Sequence, residues 1–398
     1  MDSKSHKKLV LVITRWFPTS AEPNRCIFTK KMLDQQVTLN NNYNYVVIVP
    51  IPYYPRFIPK FFSKKYYNFS RIPYITSNKN YKVYHPRYFK VPGLWFQQFE
   101  WYLYYSSVIK TIDNNSISFN IIHSHGMFPC GFVSARVAKY FNKPLVQHLH
   151  DGSILSLDKW KHKYYDYVLK AAKKLVAVSY NQRKIIVNVF GQLYSSKIKV
   201  IHNGVDLSSF NKLGIKKQNN KTISIISIGN LVKSKGFKLL IKSISKLNSK
   251  TKIYNLTIVG EGKERESLEQ LINELKLNSH VELLGSVNND LLPRELSKHD
   301  IFVLATKRET FGIVFLEAMA CGLPIVAPRI DPLTEFISDE SCIFFNKYDT
   351  ISLANAISRA SHYNWDTKKI IKNAEKYSIK KVAKSIEILY DSLINKQL

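Results

Sequence analysis

The sequence predicts an α/β protein built from two doubly wound domains, each a parallel sheet covered on both faces by helices. Three observations carry that reading. The chain has 398 residues, a length that suits two domains. Short apolar runs rich in Val and Ile recur along it with helical patterns between most of them, which is how strands buried on both faces read. The runs form two series, parted by a polar stretch without clear periodicity, LSSFNKLGIKKQNNK at 207–221.

In the first series strands are expected at KLVLVIT (8–14), YVVIVP (45–50), NIIHSHG (120–126), PLVQHLH (144–150), LVAVS (175–179) and IKVIHNG (198–204). In the second they are expected at ISIISIG (223–229), NLTIVG (255–260), VELLG (281–285), IFVLAT (301–306), PIVAP (324–328) and SCIFF (341–345). The run from about 371 to 398 has a helical pattern. The expected organisation is an N-terminal domain at 1–206, a second at 222–375 and a C-terminal helix at 376–398. Residues 53–90 break the strand–helix rhythm. They hold nine basic and thirteen aromatic side chains and read as an insertion or lid.

Composition narrows the class. Apolar residues make up 45% of the chain, enough for two cores, and no apolar span of about 18 or more residues predicts a transmembrane helix. The N-terminal LVLVIT meets Arg15 too soon for a signal peptide and reads as a first strand. Cys26, Cys130, Cys321 and Cys342 lie far apart without zinc or redox spacing, which fits a reducing cytoplasm. Lys and Arg number 59 against 29 Asp and Glu, a net charge of +30. The excess is concentrated in residues 1–205, with 30 basic and 8 acidic side chains. A field of that sign attracts nucleic acid, anionic lipid or small anions.

Three stretches carry candidate chemistry. In RETFGIVFLEAMACG (308–322), Glu309 follows a strand directly, where ligands of doubly wound sheets bind. Glu317 lies in a helix otherwise apolar all round, and such a helix is buried. A buried carboxylate needs partners. These are a backbone N–H or a lysine in one reading, a ligand's hydroxyl pair in the other. In IGNLVKSKGFKLL (228–240), Lys233 and Lys235 stand just before a helix N-terminus, either as a solvated basic turn or as a phosphate site. Phe311-Gly312-Ile313 open a second helix of the same half, and two N-termini on one sheet edge suit a diphosphate. In QHLHDGS (147–153), strand alternation puts His148 and His150 on one face, with His150 at the carboxyl end. His123 and His125 form a comparable pair. Neither pair has enough neighbouring ligands to argue for a metal. The sequence holds no Asp-x-Asp, no Walker motif, no GxGxxG and no GxSxG elbow.

Together these stretches resemble the retaining glycosyltransferases of family 4, the glycosyl transferases group 1, which have the GT-B fold. The resemblance spans nearly the whole chain and rests on HNGVD (202–206), GNLVKSKG (229–236), VGEG (259–262), VELLGSV (281–287), HDIFVLAT (299–306) and, most specifically, E-x7-E (Glu309 to Glu317), in that order along the chain. It implies two Rossmann-like domains facing a cleft, with a C-terminal helix crossing back to the first. It implies Lys235 as the lysine that neutralises a donor diphosphate, Glu317 on the nucleotide ribose and Glu309 on the transferred sugar. The amides of Phe311, Gly312 and Ile313 would meet phosphate or sugar, Val287 the base, and His150 the sugar near its reacting carbon. Asn230 stands where the family often has Arg, with Lys233 as its substitute, and Cys26 stands where a glycine often falls, with Arg25 beside it.

The activity implied is transfer from a nucleotide-diphosphate sugar to a saccharide acceptor with retention, without a metal or other cofactor. The expected setting is bacterial surface polysaccharide synthesis. A lipid-linked acceptor at the inner face of the cytoplasmic membrane fits the basic aromatic segment, because basic and aromatic side chains favour an anionic interface. Two other readings are a nucleic-acid-binding protein, which leaves Glu317 and the ordered motifs unexplained, and a GT-B nucleotide-sugar epimerase.

Overall fold

The computed structural model describes residues 7–39, 42–53, 64–78, 80–90, 99–150, 159–210, 222–248 and 253–395, with the side chains of 64–66 and 159 left aside. Two compact units make up the chain. The first contains residues up to His202 together with Lys380 onward, and the second runs from Asn203 to Ile379.

The first unit is built on β1 (Lys8–Thr14), β2 (Tyr43–Ile48), β3 (Ile51–Pro52), β4 (Ile75–Asn78), β5 (Tyr81–Tyr84), β6 (Arg87–Tyr88), β7 (Ile121–His125), β8 (Leu145–Leu149), β9 (Lys174–Ala177) and β10 (Ile198–Val200). Eight of these form one sheet in the order β10-β9-β8-β7-β1-β2-β5-β4. All pairings in it are parallel except β4 with β5. Every residue of β7 and β8 is buried, as expected of strands with helices on both faces.

The second unit contains β11 (Thr222–Ile228), β12 (Ile253–Val259), β13 (Val281–Gly285), β14 (Ile301–Val303), β15 (Ile325–Pro328) and β16 (Cys342–Phe345), all parallel, in the order β13-β12-β11-β14-β15-β16. The helix Phe237–Asn248 shows how the sequence fixes the packing. Phe237, Leu240, Ile241, Ile244 and Leu247 recur at helical spacing and are buried, while Lys238 and Lys242 face solvent.

Each of the twelve apolar runs read from the sequence contains a strand. The segment 53–90 departs from its reading as an insertion or lid. Its described part supplies β4 and β5, and β5 joins β2 in parallel. Tyr81, Val83 and Tyr84 of β5 are buried while Lys82 is exposed, so the segment's aromatics partly serve the core. Residues 54–63 lie outside the described residues.

The chain leaves the first unit before the polar stretch at 207–221. Val205 bridges Ser378 and Phe210 is buried within the second unit. Residues 211–221 lie outside the described residues. The C-terminal run is two helices, Thr367–Glu375 and Ile379–Ile394, and the second packs into the first unit through Ala383, Ile386, Leu389 and Tyr390. Among the described residues no helix is long and apolar enough to cross a membrane.

Candidate functional site

In the second unit the chain runs β11, β12, β13 outward and returns to lay β14 on the other side of β11. The order reverses between β11 and β14, and the loops leaving their carboxyl ends lie at the place where doubly wound sheets bind ligands. One loop carries Lys233 and Lys235, the other Glu309.

The two loops are tied together. The Lys307 N–H donates to the Ser234 carbonyl at 2.7 Å, and Thr306 Oγ1 donates to the carbonyls of Ser234 and Arg308 at 3.2 and 3.0 Å. Gly236, at φ +73°, lies so close to the β14 loop that a Cβ there would sit 2.0 Å from the Ala305 carbonyl oxygen. The β11 loop is tied equally to the loop after β12. Gly229 donates to Val259, Leu231 to Glu261 and Glu264 to Leu231, at 2.9–3.0 Å. A Cβ on Gly260, at φ +145°, would fall 2.0 Å from the Gly229 oxygen. Gly236, Gly260 and Gly262 thus let backbone lie on backbone, and no larger residue fits there.

Within this frame Lys235 Nζ and Glu309 Oε1 form an ion pair at 2.5 Å, with side chains 23% and 10% exposed. The sequence reading set them apart, one on a diphosphate and one on a sugar. The adjacency of β11 and β14 brings them together. Lys233 goes elsewhere. It is exposed and lines a cavity of about 320 Å³ with Lys238, Lys242, Lys307 and Lys347, a wall that does not include Lys235. Asn230 is exposed beside Gly229.

Phe311 is buried and stacks on Phe336 with centroids 4.5 Å apart, so it presents backbone rather than ring. Gly312, at φ +100°, is the N-cap of the helix Ile313–Ala320 and supplies no side-chain cap. Such an N-terminus favours negative charge. Glu317 corrects an expectation. It is half-buried, with Ile313 and Val314, while Phe315, Leu316, Ala318, Met319 and Ala320 are fully buried. The helix is not enclosed all round, and its carboxylate occupies the one partly open face. Val287 is half-buried in the loop after β13, at the sheet's edge. Two inter-strand steps, about 10 Å, separate β13 from β11.

In the first unit His150 follows β8. It is 8% exposed, and its Nε2 lies 2.8 Å from His125 Nδ1. Trp16 and Phe28 flank its ring at centroid distances of 6.1 and 4.8 Å. Burial and the neighbouring His125 and His123 hold its pKa well below the usual histidine value, which keeps the ring neutral. Cys26, where the resemblance has a glycine, takes a left-handed φ of +48°, and burial pushes its thiol up to about 11. Arg25, read as a substitute charge, pairs with Glu22 at 2.5 Å.

Sequence reasoning missed Thr306 and Ser234, which bind the two loops together, and the contact by which His125 holds His150. Thr306 had one signal, a hydroxyl ending an otherwise apolar strand run.

Residues 209–377 match the family described as Glycosyl transferases group 1, and residues 77–209 match Glycosyltransferase Family 4. A putative teichuronic acid biosynthesis glycosyltransferase, TuaC of Bacillus subtilis, is 25% identical over 372 residues, covering 89% of each chain. Among solved structures, a sucrose-phosphate synthase from Thermosynechococcus elongatus superposes with a TM-score of 0.78 at 16% identity, covering 98% of this chain and all of that one. Anabaena Alr3699/HepE, in complex with UDP and glucose, superposes with a TM-score of 0.69 at 19% identity, over 98% of this chain and all of that one.

Proposed function

The chain belongs to the glycosyltransferases of group 1 and family 4, with the GT-B fold, and on that premise we propose that it moves a sugar from a nucleotide-diphosphate donor to a saccharide acceptor with retention of configuration. The carrying observation is the row of groups along one sheet edge. Val287 lies beyond β13, Lys235 beyond β11, and Glu309 with the Gly312–Ile313 amides beyond β14. The spacing suits base, diphosphate and sugar in that order, with Glu317 on the ribose. The likenesses to a putative teichuronic acid enzyme and to a protein that holds UDP and glucose support polysaccharide synthesis and a nucleotide-sugar donor.

In the proposed reaction the bond from the anomeric carbon to the diphosphate oxygen breaks, and the bond from that carbon to the acceptor oxygen forms on the same face. The acceptor's proton passes to the leaving phosphate. Lys235 and the amides at the helix N-terminus stabilise the charge growing on that phosphate, a role that in other transferases falls to a metal held by Asp-x-Asp. Glu309 positions the sugar. Incubation with a panel of nucleotide sugars and extracted acceptor, without added divalent cation, tests this. The product's anomeric carbon keeps the donor's configuration. Inversion, or an absolute requirement for Mg²⁺ or Mn²⁺, would overturn the mechanism.

A lipid-linked acceptor at an anionic membrane surface is part of the proposal. β3 pairs with β6, so Tyr53 and Phe89 emerge side by side, and both are exposed. Phe99 and Tyr102 are exposed at the start of the helix Glu100–Asn114, which Tyr88 reaches through its 2.6 Å bond to Glu100. Aromatic tips amid basic side chains suit an anionic interface. The protein is expected to sediment with vesicles containing phosphatidylglycerol and to release them in high salt. Equal binding to neutral vesicles removes the electrostatic part.

A further inference from the structure

The two His-x-His pairs, read separately along the chain, become one cluster in the fold. β7 and β8 are parallel neighbours with His125 opposite His148. Alternation along each strand then puts His123, His125, His148 and His150 on the same face. Their rings stack, with centroids 4.0 Å apart for His148 and His150, 5.1 Å for His125 and His150, and 5.2 Å for His125 and His148. His123, His125 and His148 are each 1% exposed.

Nature seldom leaves buried ring nitrogens without partners, yet here several converge. His123 Nε2 and both nitrogens of His148 are buried without a hydrogen bond. One ring nitrogen from each of His123, His125 and His148 lies within 4.8 Å of the other two. A tetrahedral cation with metal–nitrogen bonds of about 2.0–2.1 Å sets its ligands roughly 3.3 Å apart, within reach of small side-chain rotations. We propose that His123, His125 and His148 form a buried site for a zinc-class divalent cation, with a fourth position left for water or an anion.

The surroundings fit that assignment. Burial keeps the three rings neutral, with His123 lowered to about 3 and the other two well below the usual value, so their lone pairs are available near neutral pH. An all-imidazole set suits Zn²⁺, Co²⁺, Ni²⁺ or Cu²⁺ and not Mg²⁺ or Ca²⁺. The remaining nitrogens of His123 and His125 have the outer partners metal-bound histidines use. Tyr390 Oη lies 2.6 Å from His123 Nδ1, and His150 Nε2 lies 2.8 Å from His125 Nδ1. With His123 and His125 ligating through Nε2, both carry their proton on Nδ1. His150 then accepts at Nε2 and carries its own proton on Nδ1. Through His125 the ion also sets the tautomer of His150. The assignment does not depend on the transferase reading.

Titration of the untagged, chelator-stripped full chain with Co²⁺ tests the site. One equivalent of Co²⁺ is expected to bind, with visible d–d absorption that Zn²⁺ abolishes, and Zn²⁺ is expected to raise the midpoint of thermal unfolding. His148→Ala removes a side chain without hydrogen bonds and loses both effects. His123→Gln serves the same purpose should His148→Ala fail to fold by circular dichroism. His362→Ala, at an exposed helix end, keeps both effects. Wild type that binds no Co²⁺, or that binds no more than His148→Ala, overturns the proposal and leaves the nitrogens to buried water.

Discussion

Replacing Lys235 with alanine is expected to lower kcat/KM for the nucleotide sugar by about 10²- to 10³-fold, the range found when one preorganised charge-stabilising group is removed. The ammonium is 2.5 Å from Glu309 in a pair only partly open to water, so the variant loses its charge toward the diphosphate and also strands a carboxylate beside it. Glu309→Gln makes the instructive contrast. It neutralises the partner while leaving Lys235 in place, so its ammonium is no longer shared with a carboxylate. Calorimetry should show the free nucleoside diphosphate binding Glu309→Gln at least as tightly as wild type, and Lys235→Ala much more weakly, while both variants turn over slowly. Equal loss of nucleotide binding in the two would remove the division of labour between diphosphate and sugar. Full activity in either would remove that residue from the site.

The second large effect lies in the first unit. Tyr390→Ala is expected to cost about 3–5 kcal/mol, the usual range for deleting a large buried aromatic ring, and to lower that unit's thermal midpoint by about 10 °C. Tyr390 is wholly buried, packs edge-on against Tyr43 and His123, and shares a hydrogen bond with His123. Next to it Asp391 accepts a 2.5 Å bond from Tyr43. The ring thus fastens the last helix to strands laid down more than 260 residues earlier. Tyr390→Phe keeps the packing and loses the hydrogen bond, for about 1–3 kcal/mol. Differential scanning calorimetry separates the cases. A Tyr390→Ala protein that melts like wild type would show that the helix contributes nothing to that unit.

Much of this was legible from residue order. Apolar runs at strand length placed all twelve principal strands, and Gly236 and Gly312 marked the openings of two helices at the sheet edge. What the sequence could not show was adjacency. Lys235 and Glu309 are 74 positions apart and meet only because β14 returns to the flank of β11. The two histidine pairs likewise look unremarkable until the register sets His125 against His148. Glu317 was misjudged for a related reason. A helix with one charge reads as enclosed, but its neighbours decide which face stays open, and here that face holds Ile313, Val314 and Glu317. Cys26 shows the limit of reasoning by residue type, since a cysteine occupies a backbone conformation that glycine favours.

The glycine contacts among the loops after β11, β12 and β14 bear on efforts to redirect the enzyme to another sugar. These loops meet main chain to main chain, so none can be lengthened or exchanged without displacing its neighbours. A graft from a relative would have to carry the loops as a set. Point changes should instead target the side chains hung on that frame, Asn230 among them. Donor preference would then be retuned on a scaffold whose geometry stays constant.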